Sequence, residues 1–164
     1  KGLKVMTHTL TVERELIAAR AKVDSLAHGL QDRVLTDGEV GVIRESGMGE
    51  IPTLSVFDPN KWVHSSDHKV VANSVLFDNA LRNVRKLFRA GVVIGVGTDA
   101  GMPATPHGLS TLHELELLVR AGLTPAQDLT AATHSSAVLT GQDKDRGAIA
   151  PGLRAEPGRA SCRE

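Results

Sequence analysis

Short apolar runs alternate along this chain with longer segments whose apolar residues recur at helical spacing. The short runs cover residues 2–8, 23–29, 51–57 and 92–101, and runs of this length bounded by turn residues predict β-strands. The longer segments, of which 73–91 is the clearest, predict amphipathic helices. Strands that alternate with helices in this way are typical of βα units on a parallel sheet. The chain is therefore predicted to have an α/β fold with about four such units and one extra helix.

Capping signals mark where several predicted helices begin. Thr36 and Glu39 have capping-box spacing, and so do Thr111 and Glu114. Thr124 precedes a proline and then a glutamine, at the positions that favour a helix start. We therefore expect a helix to begin directly after each of these three threonines.

Two predicted helices indicate which side they bury. In the helix over 13–21, Leu16 and Ile17 are expected to face inward. The helix over 73–91 carries one apolar stripe, made of Val75, Leu76, Ala80, Leu81, Val84, Leu87 and Phe88. Beyond the last helix, residues 146–152 predict a strand and a turn.

The length of 164 residues suffices for one domain with one core. Residues 1–155 are expected to form that domain. The tail over 156–164 has no apolar periodicity, so it cannot bury enough surface to offset the entropy of ordering it. It is expected to be disordered or appended.

Composition excludes several classes of function. Lys and Arg together number 19, as do Asp and Glu, so no net charge attracts nucleic acid or an anionic membrane. Three Phe, one Trp and no Tyr leave few platforms for base stacking. The single cysteine, Cys162, excludes a disulfide within the chain. No run has the length of a membrane span and no signal-peptide pattern is present, which favours a cytoplasmic location.

Three candidate metal ligands fall at the predicted carboxyl ends of strands. His8 closes the first predicted strand, His28 the second and Asp99 the last. Functional side chains gather at this end of the strands in parallel α/β folds. Two imidazoles and a carboxylate are ligands that zinc prefers, and Asp99 could also accept a proton from a metal-bound water. We therefore predict a metal site formed by these three residues, with Asp99 catalytic.

Small residues surround this predicted acid in "GVGTDAG". Gly95, Gly97 and Gly101 do not have the spacing of a dinucleotide-binding fingerprint. Their lack of side chains is instead expected to leave room around Asp99 for a metal, a water and a substrate carbonyl.

Each candidate also has an ordinary structural explanation. A single strand-end histidine is more often a hydrogen-bonded structural residue than a ligand, and Asp99 could cap the turn that follows it. His107 is a weaker candidate for substrate binding, with loop stabilisation as its alternative. His64 and His68 lie in a polar loop and are interpreted as surface or substrate-side residues. The placement of three groups on separate strand ends is what favours a site.

Five segments occur in an order that carries a family resemblance within a match that runs from about residue 2 to residue 153: "VMTHTLTVERELIAARAKVDSLAHGLQD", "IPTLSV", "GVGTDAG", "PHGLSTLHELELLVRAGLTPAQDLTAAT" and "RGAIAPG". Together they resemble the second half of a metal-dependent amidohydrolase of the imidazolonepropionase and Xaa-Pro dipeptidase (prolidase)-like branch. The resemblance implies half of a TIM-like (β/α)8 barrel, with strands equivalent to the fifth to eighth.

The resemblance also implies an activity and a ligand set. His8, His28 and Asp99 match the family's ligands for one or two divalent metals, zinc foremost, and Asp99 matches its proton shuttle. The implied reaction is hydrolysis of an amide, peptide or cyclic C–N bond in a small amide or dipeptide-like substrate by metal-activated water. The family's first-strand His-x-His pair and its strand-four lysine have no counterpart here. We therefore expect weak or absent metal binding and little activity from this chain alone.

Two alternatives remain open. The chain could be a non-catalytic half-barrel that self-associates as a homo-oligomer, or one that pairs with a missing N-terminal half, because open sheet edges bind other strands. A small flavodoxin-like ligand-binding domain also fits the alternating pattern, although no Gly-rich phosphate loop follows the first strand.

Overall fold

Three short parallel strands form a sheet in the order in which they occur along the chain. The structure is a computed structural model in which residues 2–29, 31–59 and 74–154 are described. The strands are β1 (Met6–His8), β2 (Ser25–Ala27) and β3 (Gly49–Ile51), with β2 between the other two. The predicted α/β fold with parallel strands is confirmed.

A fourth segment, residues 93–95, extends this sheet beyond β3. The Glu50 N–H donates to the Val93 carbonyl at 2.9 Å, and the Gly95 N–H donates to the Glu50 carbonyl at 2.8 Å. Ile94 is thereby paired in parallel with Glu50. Four parallel segments therefore lie side by side in chain order.

Helices follow each of these strands. Those in the described ranges are α1 (Val12–Arg20), α2 (Asp37–Ser46), α3 (Leu54–Phe57), α4 (Ser74–Arg89), α5 (Leu109–Ala121), α6 (Pro125–Thr130) and α7 (Ser136–Leu139), with a π-helical turn at Ala131–Ser135. α1 packs on α2, and α5 packs on both α3 and α4. None of the helices in the described ranges is long and apolar enough to cross a membrane.

Two of the predicted capping boxes are confirmed. The Thr36 hydroxyl accepts the Glu39 N–H, and the Glu39 carboxylate accepts the Thr36 N–H, at the start of α2. Thr124 and Gln127 form the same reciprocal pair at the start of α6. These local bonds explain why the sequence located both helix starts correctly.

The predicted box between Thr111 and Glu114 is wrong. α5 begins at Leu109, after Gly108, so Thr111 lies inside the helix. Glu114 is fully buried and accepts hydrogen bonds from the start of α3 instead of from its own helix. A tertiary contact has replaced the local one.

The predicted strands are longer than the observed ones. The run over 51–57 leaves the sheet at Ile51, because Pro52 has no N–H to donate and Thr53 turns the chain at φ +48°. Residues 54–57 then form the helical turn α3. No strand is present within 146–152, where the chain forms turns.

The buried face agrees with the sequence for α4 and only in part for α1, where Leu16 is partly buried against the core as predicted. Within α4 the middle of the predicted stripe is buried, while Val75 is 64% exposed. In α1, Ile17 is 57% exposed, and Glu15 takes part in the inward face with Val12. Residues three and four apart share a helix face, and the phase of α1 places Glu15 rather than Ile17 inside.

Several predictions fall on parts of the chain that are not described. His64 and His68 lie outside the described residues, and so does the predicted tail over 156–164.

Candidate functional site

β1 and β2 bring two of the predicted ligands together. His8 ends β1 beside Ala27 of β2, and His28 follows Ala27 directly. The centroids of the two imidazole rings are 4.4 Å apart, and the ring planes are at 80° to each other. His8 is exposed and His28 is buried, so the pair connects solvent to the interior at the carboxyl end of the strands.

His28 is held on several sides. Its backbone N–H donates to the Ile51 carbonyl at 2.9 Å, and its imidazole Nδ1 lies 2.7 Å from the Thr53 hydroxyl oxygen. The ring of Phe57 meets the imidazole edge to face, with centroids 5.7 Å apart. The imidazole is therefore fixed by backbone, hydroxyl and aromatic contacts at once.

The surroundings of His28 favour the neutral form of its imidazole. Burial lowers the pKa of His28, the neighbouring His8 lowers it further, and the carboxylate of Asp99 acts in the opposite direction. A neutral imidazole carries the lone pair that a metal or a proton requires. Among the described residues, the other ring nitrogen, Nε2, has no hydrogen-bond partner.

Asp99 follows the fourth parallel segment and is exposed. Its carboxylate is close enough to His28 to influence the pKa of that imidazole. Over residues 2–29, 31–59 and 74–154, however, no three His, Cys, Asp or Glu side chains form a group that could hold a metal. The structure thus brings His8 and His28 into contact and leaves Asp99 nearby without completing a three-ligand set.

The backbone is strained at three successive strand ends. His28, Thr53 and Asp99 have φ angles of +79°, +48° and +53°, in the left-handed region that residues with a Cβ seldom adopt. Each such residue costs on the order of 1–3 kcal/mol, and such strain clusters at functional sites. The sequence gives no direct signal of this strain, because none of the three is a glycine.

Gly95 and Gly97 do not leave the open space that was expected around Asp99, whereas a Cβ on Gly101 would meet only His107, at 3.9 Å. A Cβ on Gly97 would lie 2.5 Å from Ile51 Cγ2, and one on Gly95 would lie 2.9 Å from Leu139 Cδ1. The side chains of Ile51 and Leu139 fill this space. The absence of side chains at Gly95 and Gly97 therefore serves the core.

His107 lies beside the loop that carries Asp99. His107 is exposed, and its Nε2 lies 3.9 Å from the position that a Cβ on Gly101 would occupy. This position suits both substrate binding and loop stabilisation, so the predicted role of His107 stays a prediction.

Two residues of this region were not identified from the sequence as site residues. Thr53 was placed inside a predicted strand, and Glu114 was assigned to a local capping box. The break that Pro52 imposes just before Thr53 is the one sequence signal that could have indicated the turn.

The donor set fits a divalent metal in part. Two imidazoles, one of them buried and held through Nδ1, are suitable zinc ligands, and a carboxylate lies near them. Further ligands would have to come from outside the described residues.

Comparison with known proteins places this geometry in context. No family model matches the chain. An imidazolonepropionase from Deinococcus deserti is 45% identical over 73 residues, which are 44% of this chain and 18% of the relative.

Solved structures match nearly the whole chain. A Xaa-Pro dipeptidase with methionine bound in its active site has a TM-score of 0.76 and 26% identity, over 94% of this chain and 38% of that one. Ochratoxinase from A. niger has a TM-score of 0.72 and 26% identity, over 93% of this chain and 34% of that one. The chain therefore spans well under half the length of these relatives. The chain is similar in sequence to part of an imidazolonepropionase and in structure to part of prolidase-type enzymes.

Proposed function

We propose that this chain is part of a metal-dependent amidohydrolase that cleaves a C–N bond in a small amide or dipeptide-like substrate. The observation that carries the proposal is the contact of His8 and His28 at the carboxyl end of the sheet, with Asp99 acting electrostatically on His28. Functional groups of α/β enzymes lie at this end of parallel strands.

The chain would supply strands five to eight of a (β/α)8 barrel. Four parallel segments in chain order support this, as does a match that covers 93–94% of this chain but only 34–38% of two solved relatives. Strands one to four and their ligands would then come from the remainder of a longer protein. Alone, the chain would bind metal weakly and be inactive.

Each site residue has a chemical role in this proposal. His8 and His28 would hold a divalent metal, zinc foremost, through their unprotonated ring nitrogens. Zinc, when bound, polarises a carbonyl and lowers the pKa of water towards neutrality. Asp99, exposed at the rim, would take a proton on its carboxylate and return it to the leaving nitrogen. His107 would contact the substrate beside this loop.

A zinc titration of the full chain, followed by NMR of ¹⁵N-labelled histidines, tests the metal site. We expect the His8 and His28 signals to shift together, and His8→Ala or His28→Ala to abolish the shift at the partner. His134→Ala, an exposed residue on the π-helical turn, is the matched control. Zinc shifts confined to other histidines would contradict the proposal.

A non-catalytic, self-associating half-barrel is the second candidate. β1 lies at the edge of the described sheet, and Leu3, Val5 and Met6 are 80%, 53% and 49% exposed. Apolar residues on a free edge favour pairing with another chain. Sedimentation should then show a dimer that Val5→Lys weakens and Val119→Lys, on exposed α5 surface, does not. A concentration-independent monomer would exclude this candidate.

A further inference from the structure

The Thr53 hydroxyl is turned away from the helix it precedes. Thr53 occupies the N-cap position of α3, yet its side chain makes no capping hydrogen bond. Its oxygen lies 2.7 Å from Nδ1 of His28, and both residues are buried. An N-cap threonine ordinarily accepts a hydrogen bond from the first turn of its helix. Here that hydroxyl serves the imidazole.

Glu114 of α5 caps α3 in place of Thr53. Its carboxylate is fully buried and accepts the N–H groups of Leu54 at 2.8 Å and Ser55 at 2.6 Å. Burial raises the pKa of Glu114 to about 7, although the hydrogen bonds from Ser55 and Leu54 oppose that rise. The first-turn donors of α3 are thus satisfied by a side chain from another helix, which releases the Thr53 hydroxyl.

The remaining contacts fix the same loop on both sides. His113 Nε2 lies 2.8 Å from the buried Asp58 carboxylate, so α5 holds the end of α3 as well as its start. The Gly29 N–H donates to the Pro52 carbonyl at 2.6 Å, next to the bond between the His28 N–H and the Ile51 carbonyl. The relative position of Thr53 and His28 is therefore set by backbone and by α5.

We propose that Thr53 and Glu114 are positioning residues that orient the His28 imidazole and select its tautomer. Nδ1 carries the proton and donates a hydrogen bond to the Thr53 oxygen. Nε2 therefore keeps its lone pair for a metal. Metal-binding histidines commonly donate their second ring N–H to an oxygen in this way. The inference rests on the proposed function, because it takes His28 to be a metal ligand.

NMR of the metal-free full chain, with both histidine ring nitrogens labelled, tests the tautomer. We expect His28 to be protonated at Nδ1, to lose this preference in Thr53→Val and to regain it in Thr53→Ser. Glu114→Gln keeps the side-chain shape but turns an NH₂ group towards a backbone N–H, so it should disturb the preference in the same direction. Thr111→Val on α5 and Glu13→Gln on α1, both at exposed positions, should have no effect.

The inference is overturned if His28 has the wild-type spectrum in both Thr53→Val and Glu114→Gln. It is also overturned if Thr53→Ser behaves as Thr53→Val does. If circular dichroism shows that Thr53→Val is unfolded, the comparison of Glu114→Gln with Glu13→Gln decides.

Zinc binding separates this inference from the proposed function. Thr53→Val should weaken zinc binding at His28 about 10- to 100-fold, the effect typical of losing a ligand's hydrogen-bond partner. Zinc that binds equally well to both proteins overturns the positioning role. Zinc that shifts neither His8 nor His28 in any variant refutes the metal site, while the metal-free tautomer still tests the link from Thr53 and Glu114 to His28.

Discussion

At the scale of residues, two acids outside the candidate site are buried without a hydrogen-bond partner in the described ranges. Glu15 of α1 and Glu50 of β3 are 0% and 1% exposed, and their carboxyl oxygens make no hydrogen bond to any residue that the structure describes. Burial raises the pKa of Glu15 to about 9, with further contributions from Glu50, Glu39 and Asp32, and burial raises the pKa of Glu50 to about 8. Both groups are therefore protonated at neutral pH in the folded chain.

This pair predicts a stability that falls as the pH rises. Folding raises both pKa values above the unfolded value of 4.5. The contribution of the two protonated acids to folding stability is therefore complete below about pH 4.5 and is lost between that pH and about pH 9. The loss is about 1.4 kcal/mol per pH unit for each group at most. Urea unfolding from pH 5 to 9 should show this slope, and Glu15→Gln with Glu50→Gln should flatten it.

Glu13→Gln, an exposed neighbour on α1, is the control and should leave the slope unchanged. Parallel pH profiles for the wild type and the double variant would show that the two acids are not protonated when folded.

At the scale of elements, α7 packs on the sheet through a small residue of β3. A Cβ on Gly49 would lie 2.2 Å from Leu139 Cδ2 and 3.0 Å from the Val93 carbonyl oxygen. Leu139 can move its side-chain end, but the backbone carbonyl cannot. Gly49 therefore allows both the helix contact and the pairing with the fourth segment.

Gly49→Ala should accordingly lower the free energy of unfolding by about 1–3 kcal/mol, as overpacking does. Gly38→Ala is the matched control, because a Cβ there meets nothing within 4 Å and α2 should gain stability from alanine. In urea unfolding, combining Gly49→Ala with Leu139→Ala should cost less than the sum of the two single changes. Strict additivity would show that Leu139 does not cause the strain.

Elements defined by local chemistry were predictable from the sequence. The starts of α2 and α6 are set by side chains three residues apart, and the apolar stripe of α4 repeats within one helix. The end of β3 and the start of α5 were not, because Thr53 is bonded to His28 and Glu114 caps a helix some 60 residues earlier in the chain. Contacts between residues so far apart in the chain leave no periodic pattern in the sequence.

At the scale of the whole molecule, the order of the strands accounts for how much of the site was foreseen. Neighbouring parallel strands end at the same edge of the sheet, so His8 and His28 were expected to lie together. The centroids of their rings are 4.4 Å apart. The fourth segment carries Asp99 to the same region without completing a metal-binding group among the described residues. Half of a barrel would contain half of its ligands, which is what the proposed function requires.

In the proposed function, this chain would supply the proton-transfer half of an amidohydrolase site. The most direct test is a chimera in which this full chain replaces the matching 38% of the Xaa-Pro dipeptidase. Hydrolysis of a Xaa-Pro dipeptide by the chimera is then measured in the presence of zinc. We predict turnover that Asp99→Asn lowers about 10²- to 10⁴-fold and that Asp78→Asn, an exposed acid on α4, leaves unchanged. A folded, zinc-loaded chimera without turnover, or with turnover indifferent to Asp99→Asn, would contradict the account.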